Sequence, residues 1–238
     1  HRILSINTLG RRDSPRTVNL HLEALRHFFG FLELPPSFSK TLSKVKAPRR
    51  LAKHTLTHAE VLRMLYAVPA EKPLHARDRA ILEVIYSSAL RRAEMLKLRI
   101  EDLDLDGGLL RVMQGKGGKD RVVPAGRHAV EWLRRYLQHA RPSLVGRCED
   151  PGVVFVSKRG NPMDAPSLRD VVRRWAKAAG IEKPVSPHTL RRSCATEMIR
   201  NGANAAHVKE LLGHEDFSSI DSYVRLVVTD LQEALRKH

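Results

Sequence analysis

The sequence predicts a mostly α fold with a small antiparallel β-sheet (α+β), and three observations carry that expectation. Apolar residues recur at helical spacing in most segments, several of which open on a capping residue and close on a glycine. A single stretch, LKLRIEDLDLDGGLLRVMQGKGGKDRVVP (96–124), instead alternates or favours β residues, with GG and GKGGKD at the places where strands should turn. Apolar residues make up 42% of the chain, enough for a proper core, and there is no low-complexity tract or internal repeat.

The elements follow in order. Ser14 can cap a helix, Pro15 suits its first position, and Val18, Leu22, Leu25, Phe29 and Leu32 recur at helical spacing until Pro35-Pro36 stops the run. The next stretch, PPSFSKTLSKVKAPRRLAKH (35–54), mixes prolines, serines and cations with little periodicity and reads as a basic connection. We therefore expect a small helical domain over 1–46, a basic linker over 47–56 and a larger domain over 57–238. In the larger domain Thr57-x-x-Glu60 forms a capping box ahead of Val61, Leu62 and Leu65. Helices are expected at about 76–89, 92–97, 127–140, 167–179, 188–200, 205–212 and 218–228, with the meander between the second and third. Gly180, Gly202 and Gly213 fall where helix C-caps should be.

Lysine and arginine outnumber aspartate and glutamate by 42 to 26, a formal net charge of +16. A folded domain with that excess repels itself, so a polyanionic partner, nucleic acid above all, is the natural explanation. Charge alone separates an enzyme neither from a passive binder nor from a ribosomal or membrane-surface protein. Cys148 and Cys194 are far apart and in no metal-ligand spacing, which argues against a disulfide scaffold or a zinc site and fits a reducing cytosol. No apolar run approaches membrane-spanning length, and the first residues, HRILSINTLGRR, lack a signal-peptide core. The chain starts at His1 without methionine, so we expect a trimmed form of something longer.

Four segments stand out: ALRRAEML (89–96), GKGGKD (115–120), PHTLRRS (187–193) and LLGHEDFSSIDSYV (211–224). Taken singly each has a bland reading: a solvated arginine, a hairpin turn, a helix-end histidine, a core tyrosine in the apolar stripe of Ile220, Val224 and Val227. Taken together they resemble the tyrosine recombinase (phage integrase) family over about residues 57–228, with Xer-like spacing. That family has A-L-R-x-x-E, a lysine in a β-turn, H-x-L-R, L-G-H, and a tyrosine nine residues beyond that histidine. The matching residues are Arg91, Lys116, His188, Arg191, His214 and Tyr223, and His214 to Tyr223 is nine residues here as well. The resemblance implies a recombinase catalytic domain preceded by part of a helical core-binding domain. It also implies four protomers acting on two double-stranded DNA sites, without metal, ATP or other cofactor, in a prokaryotic or phage-infected cytoplasm at the nucleoid.

The chemistry of the residues agrees. A phosphodiester under attack gathers negative charge on its non-bridging oxygens, and Arg91 and Arg191 offer forked, permanently charged donors to hold it. His188 and Arg191, one helical turn apart, can face one phosphate, and His214 can add a hydrogen bond. Tyr223 as nucleophile stores the broken bond as an ester, and Lys116 on its glycine-rich turn can protonate the leaving 5′-oxygen. Glu94, one turn after Arg91, is expected to hold that arginine, although the neighbouring Arg92 offers a second cation for the same phosphate. Glu197 stands where many relatives have histidine and is expected to affect packing. Lys44, Lys46, Arg49, Arg50 and Lys53 should track backbone phosphates. A type IB topoisomerase and a non-catalytic DNA-binding module remain the rival readings.

Overall fold

The computed structural model describes residues 13–35, 37–38, 42–46, 55–69, 71–113, 120–146 and 149–213. The chain divides into two compact units, His1–Lys53 and His54–His238. Lys116, His214, Tyr223, Arg49, Arg50 and Lys53, together with the helix expected over 218–228, lie outside the described residues.

The first unit is built on helix α1, Pro15–Phe31. Ser14 caps it by accepting the Thr17 backbone N–H at 3.2 Å, and Pro15 takes the first turn, where its missing N–H costs nothing. Val18 and Leu22 are buried, and Leu25 and Phe29 are partly covered on the same face. Part of the expected connection is tied down: the Asn19 side chain donates to the Val45 carbonyl at 2.9 Å and accepts its N–H at 2.7 Å.

The second unit opens on helix α2, His58–Tyr66, with the expected capping box: Thr57 N donates to Glu60 Oε2 at 2.8 Å and Glu60 N to Thr57 Oγ1 at 3.2 Å. Helix α3, Pro73–Ser88, is the centre of the core and is buried on nearly every side. It begins three residues before the expected position, because Pro73 supplies a first-turn proline as Pro15 does. Arg77, Asp78, Arg79 and Glu83 are buried with it, and each is paired. α3 ends at Ala89, a non-glycine residue in the left-handed region at φ 49°. After it come helix α4, Arg92–Lys97, and a 3-10 turn, Ile100–Asp102.

The expected meander is a three-stranded antiparallel sheet, β1 Leu103–Asp104, β2 Leu109–Val112 and β3 Arg121–Pro124, in the order β1-β2-β3. Leu110 pairs with Leu103 on one side and Val123 on the other, which turns Leu110, Val112 and Val123 into the core. Helix α5, Arg127–Arg135, does not simply continue to residue 140: it widens into a π turn over Tyr136–Ala140 and resumes as α6, Arg141–Val145. Pro142 has no N–H for an α-helical bond across that turn, and Tyr136 is locked by stacking on Phe155 at 5.7 Å.

Helices α7 (Ala165–Ala178), α8 (Pro187–Arg200) and α9 (Ala205–Leu212) complete the unit. They are capped by Asp164, Ser186 and Asn204. Gly180, Gly202 and Gly213 all have positive φ where these helices end. No helix among the described residues is long and apolar enough to cross a membrane.

Candidate active site

The site begins with a local signal, the three-residue spacing from Arg91 to Glu94. Arg91 is the N-cap of α4, and its backbone N–H donates to Glu94 Oε2 at 2.7 Å. Its guanidinium turns the same way, with Nη1 donating to Glu94 Oε1 at 2.7 Å and Nη2 to the Gly213 carbonyl at 2.5 Å. Arg92 is exposed and takes no part, so Arg91 is the arginine of this pair that enters the cluster.

Arg191 reaches the same place from α8. It is 2% exposed; Nη1 donates to the Ala89 carbonyl, Nη2 donates to the Leu212 carbonyl at 2.6 Å, and Nη1 stands 3.8 Å from Glu94 Oε2. The left-handed turn at Ala89 belongs to this contact, because the residue accepting from Arg191 is the one that ends α3. His188, one turn before Arg191, is exposed, although Pro187, Thr189 and Leu190 around it in the first turn of α8 are buried. The two side chains thus share a helix but differ sharply in burial.

A third arginine, absent from the expectations drawn from sequence, completes the cluster. Arg121, the first residue of β3, donates from Nη1 to Glu94 Oε1 and from Nη2 to Glu94 Oε2, both at 2.9 Å, and from Nε to the Leu211 carbonyl at 3.2 Å. Three guanidiniums therefore surround one carboxylate, and they donate to the successive carbonyls of Leu211, Leu212 and Gly213 at the end of α9. Those carbonyls belong to the last turn of a helix, where intrahelical donors run out and partial negative charge collects. Gly213 fits here for two reasons: its φ is +58°, and a Cβ would come within 3.1 Å of the Arg121 guanidinium.

Burial would raise the Glu94 carboxyl, but hydrogen bonds from Arg121, from the Arg91 N–H and from the Arg91 side chain overcome it and hold the group at about 2. It is a fixed anion at any physiological pH. Cys194, one helical turn from Arg191, is a free buried thiol pushed up to about 12 by burial, so it offers no thiolate.

The remaining expected residues are scattered or lie outside the described set. Lys44 pairs with Glu23 at 3.4 Å with both side chains about half exposed, and Lys46 is exposed. Glu197, partly exposed, stands 3.5 Å from Arg200. Among the described residues no group of three or more His, Cys, Asp or Glu side chains is placed to hold a metal ion. A cavity of about 870 Å³, lined in part by Leu62, Tyr86, Cys194 and Met198, is separate: none of Arg91, Glu94, Arg121 and Arg191 lines it.

A helical domain that concentrates guanidinium charge at the meeting of a sheet edge and two helix ends is suited to an oxyanion with several oxygens, such as a phosphodiester. Comparison with known proteins gives this a family. The model of the phage integrase family matches residues 54–229. The chain is 39% identical over 200 residues to the tyrosine recombinase XerD of Ralstonia nicotianae, covering 84% of this chain and 64% of that one. It is 38% identical over 217 residues to XerD of Lacticaseibacillus casei, covering 90% and 73% respectively. The crystal structure of XerA recombinase aligns at a TM-score of 0.68 with 29% identity, over 95% of this chain and 77% of that one. The XerH site-specific recombinase in a post-cleavage complex with its difH substrate aligns at 0.76 with 25% identity, over 98% and 69%. The chain belongs to the phage integrase family, whose members found here are tyrosine recombinases.

Proposed function

We propose that the protein is a site-specific DNA recombinase that cleaves and rejoins double-stranded DNA through a covalent 3′-phosphotyrosine intermediate. The observation that carries this reading is the charge of the cluster: among the described residues three arginines gather around one carboxylate beside the end of α9, one residue before His214. Such fixed charge can stabilise a phosphorane-like transition state without reorganising when the reaction occurs.

In this reading Arg91 and Arg191 hold the non-bridging oxygens of the scissile phosphate, and His188 and His214 add hydrogen bonds. The Tyr223 phenolic oxygen loses its proton to solvent and attacks phosphorus, the bond from phosphorus to the 5′-oxygen breaks, and Lys116 supplies the proton that the leaving oxygen needs. The ester conserves the energy of the broken bond, so a second strand's 5′-hydroxyl can reverse the step and no ATP is required. Glu94 keeps Arg91 aimed. Lys44, Lys46, Arg49, Arg50 and Lys53 follow the DNA backbone, and the first unit supplies part of a clamp around the duplex. Four protomers assemble on two DNA sites in the cytoplasm. The relative solved as a post-cleavage complex with DNA, together with the XerD relatives, supports this assignment.

The test is adduct trapping on nicked duplexes whose core sequence is randomised and then selected by binding. The wild-type protein should give a denaturation-stable protein–DNA band, and Tyr223→Phe should lose it while keeping its affinity for the same DNA. A band that survives in Tyr223→Phe would remove Tyr223 from its role. Binding without any adduct would leave a DNA-binding module, and relaxation of plasmid without site preference at high dilution would indicate topoisomerase chemistry.

A further inference from the structure

We infer that Arg121 is a positioning residue that acts as the principal counter-ion of Glu94, so that Arg91, which shares that carboxylate, keeps charge to offer the DNA phosphate. The inference rests on the functional reading above and adds a residue to it. Its starting point is a difficulty inside the cluster. A buried carboxylate beside two arginines would normally draw both into ion pairs, and an arginine whose charge is already matched is a poor clamp for a phosphate.

The geometry resolves the difficulty. Only Arg121 meets Glu94 fork to fork, one N–H to each carboxylate oxygen, both at 2.9 Å. Arg91 gives the carboxylate a single side-chain bond at 2.7 Å and sends its other terminal nitrogen to the Gly213 carbonyl. Arg191 stands off at 3.8 Å and directs its terminal nitrogens to the carbonyls of Ala89 and Leu212. Carbonyls orient a guanidinium without cancelling its charge, so Arg91 divides its terminal nitrogens between the carboxylate and a neutral group, while Arg121 commits both of its own to the carboxylate.

Arg121 also stands where such a residue can coordinate the parts of the site. It pairs with Val112 at the base of the hairpin whose connection carries Lys116, and its Nε holds the Leu211 carbonyl at 3.2 Å, three residues before His214. The closeness of Gly213 to its guanidinium, 3.1 Å for an added Cβ, shows how little room the arrangement leaves at that turn.

A brace and a counter-ion predict different double mutants. The measurement is the single-turnover rate of adduct formation at saturating protein, with Tm and DNA affinity measured beside it. Arg121→Gln should slow the rate on the order of 10–100-fold, the usual cost of losing a group that supports a reactive one, with affinity for DNA much less affected. Removing the stranded carboxylate as well, in Arg121→Gln/Glu94→Gln, should raise the rate several-fold above Arg121→Gln. A double mutant as slow as or slower than Arg121→Gln overturns the inference, as does an Arg121→Gln rate within about twofold of wild type. Arg121→Lys keeps a cation there and should lose less than Arg121→Gln; an equal loss at equal Tm counts against the charge argument. Where Arg121→Gln alone does not fold, the neutral pair is itself the test: an adduct rate within about 100-fold of wild type supports the inference and a larger loss overturns it. No adduct from the wild-type protein would overturn the functional reading and this inference together, an outcome distinct from all the others.

Discussion

Two of the regions of the second unit that hold arginines against carboxylates differ in charge balance. Along α3, Arg77 pairs with Asp78 at 2.7 Å and Arg79 with Glu83 at 2.8 Å, so that two buried cations meet two buried anions. Around Glu94, among the described residues, three cations meet one anion. In both regions spare guanidinium N–H groups go to backbone carbonyls, Val156 and Leu65 in the first and Leu211, Leu212 and Gly213 in the second. Carbonyl bonding therefore does not mark a site. An excess of arginines over carboxylates is the better pointer, because gathering like charges costs folding free energy that a purely structural cluster has no reason to incur.

The largest effect should come from setting the two regions against each other. In the proposed function Arg191 holds the phosphate, so Arg191→Ala is expected to slow adduct formation on the order of 10²–10³-fold, as loss of one oxyanion donor does. Arg77→Ala takes from the fully buried Asp78 carboxylate its one buried cation, leaving the Trp175 N–H and the long Arg174 contact, and should cost about 3–5 kcal/mol of stability. The fraction of Arg77→Ala that remains folded should form adduct at the wild-type rate. Urea unfolding and single-turnover trapping on both variants check the pair. A slow rate in folded Arg77→Ala would erase the distinction between the regions.

How much of this was legible beforehand depends on the distance over which each signal acts. The Thr57–Glu60 capping box, the glycines at 180, 202 and 213, and the step from Arg91 to Glu94 are local, so their spacing alone points to their geometry. Arg121 carries no such mark: it meets Glu94 across 27 positions and Leu211 across 90. It also follows directly on the GKGGKD turn, where one more cation in a basic chain attracts no notice. The one available hint was arithmetical, a lone acid among several arginines. The π turn at Tyr136–Ala140 was only half legible, since Pro142 stands in the sequence but Tyr136 meets Phe155 from a distant segment. Pro73 was a signal in plain view, a first-turn proline three residues before the expected start of its helix.

A smaller effect sharpens the contrast through pH. Glu94 lies at about 2 in the folded protein against an ordinary 4.5, a depressed carboxylate. Its contribution to stability is therefore complete above about pH 4.5 and is lost as pH falls towards 2. Asp150 is also held near 2, by hydrogen bonds from Arg141 and the Gly152 N–H, but its side chain is 48% exposed and solvent screening discounts its share. Glu94→Gln should thus unfold with a shallower loss of stability between pH 4.5 and 2 than the wild type, while keeping the residual slope that Asp150 supplies. Urea midpoints across that interval measure it, and superimposable pH slopes for the two proteins would show that Glu94 is not a linked group.

The smallest expected effect concerns the outermost arginine of the α3 region. Arg174, on α7, reaches Asp78 Oδ2 at 3.5 Å, and its side chain is 57% exposed. The same oxygen accepts the Trp175 indole N–H at 2.9 Å, and the other oxygen takes two bonds from Arg77, at 3.1 and 2.7 Å. Asp78 therefore keeps its buried partners when Arg174 is removed, and only a long, solvent-screened ion pair is lost. Arg174→Ala should cost no more than about 1 kcal/mol, the usual size for a pair with one exposed partner. That small loss should fade further in 1 M salt, where the screening length shrinks to roughly 3 Å. Urea unfolding at low and high salt decides the point. A loss above about 2 kcal/mol that persists in high salt would mean that Asp78 depends on Arg174 as well as Arg77. The α3 region would then also hold more essential cations than anions, and charge balance would cease to separate it from the Glu94 cluster.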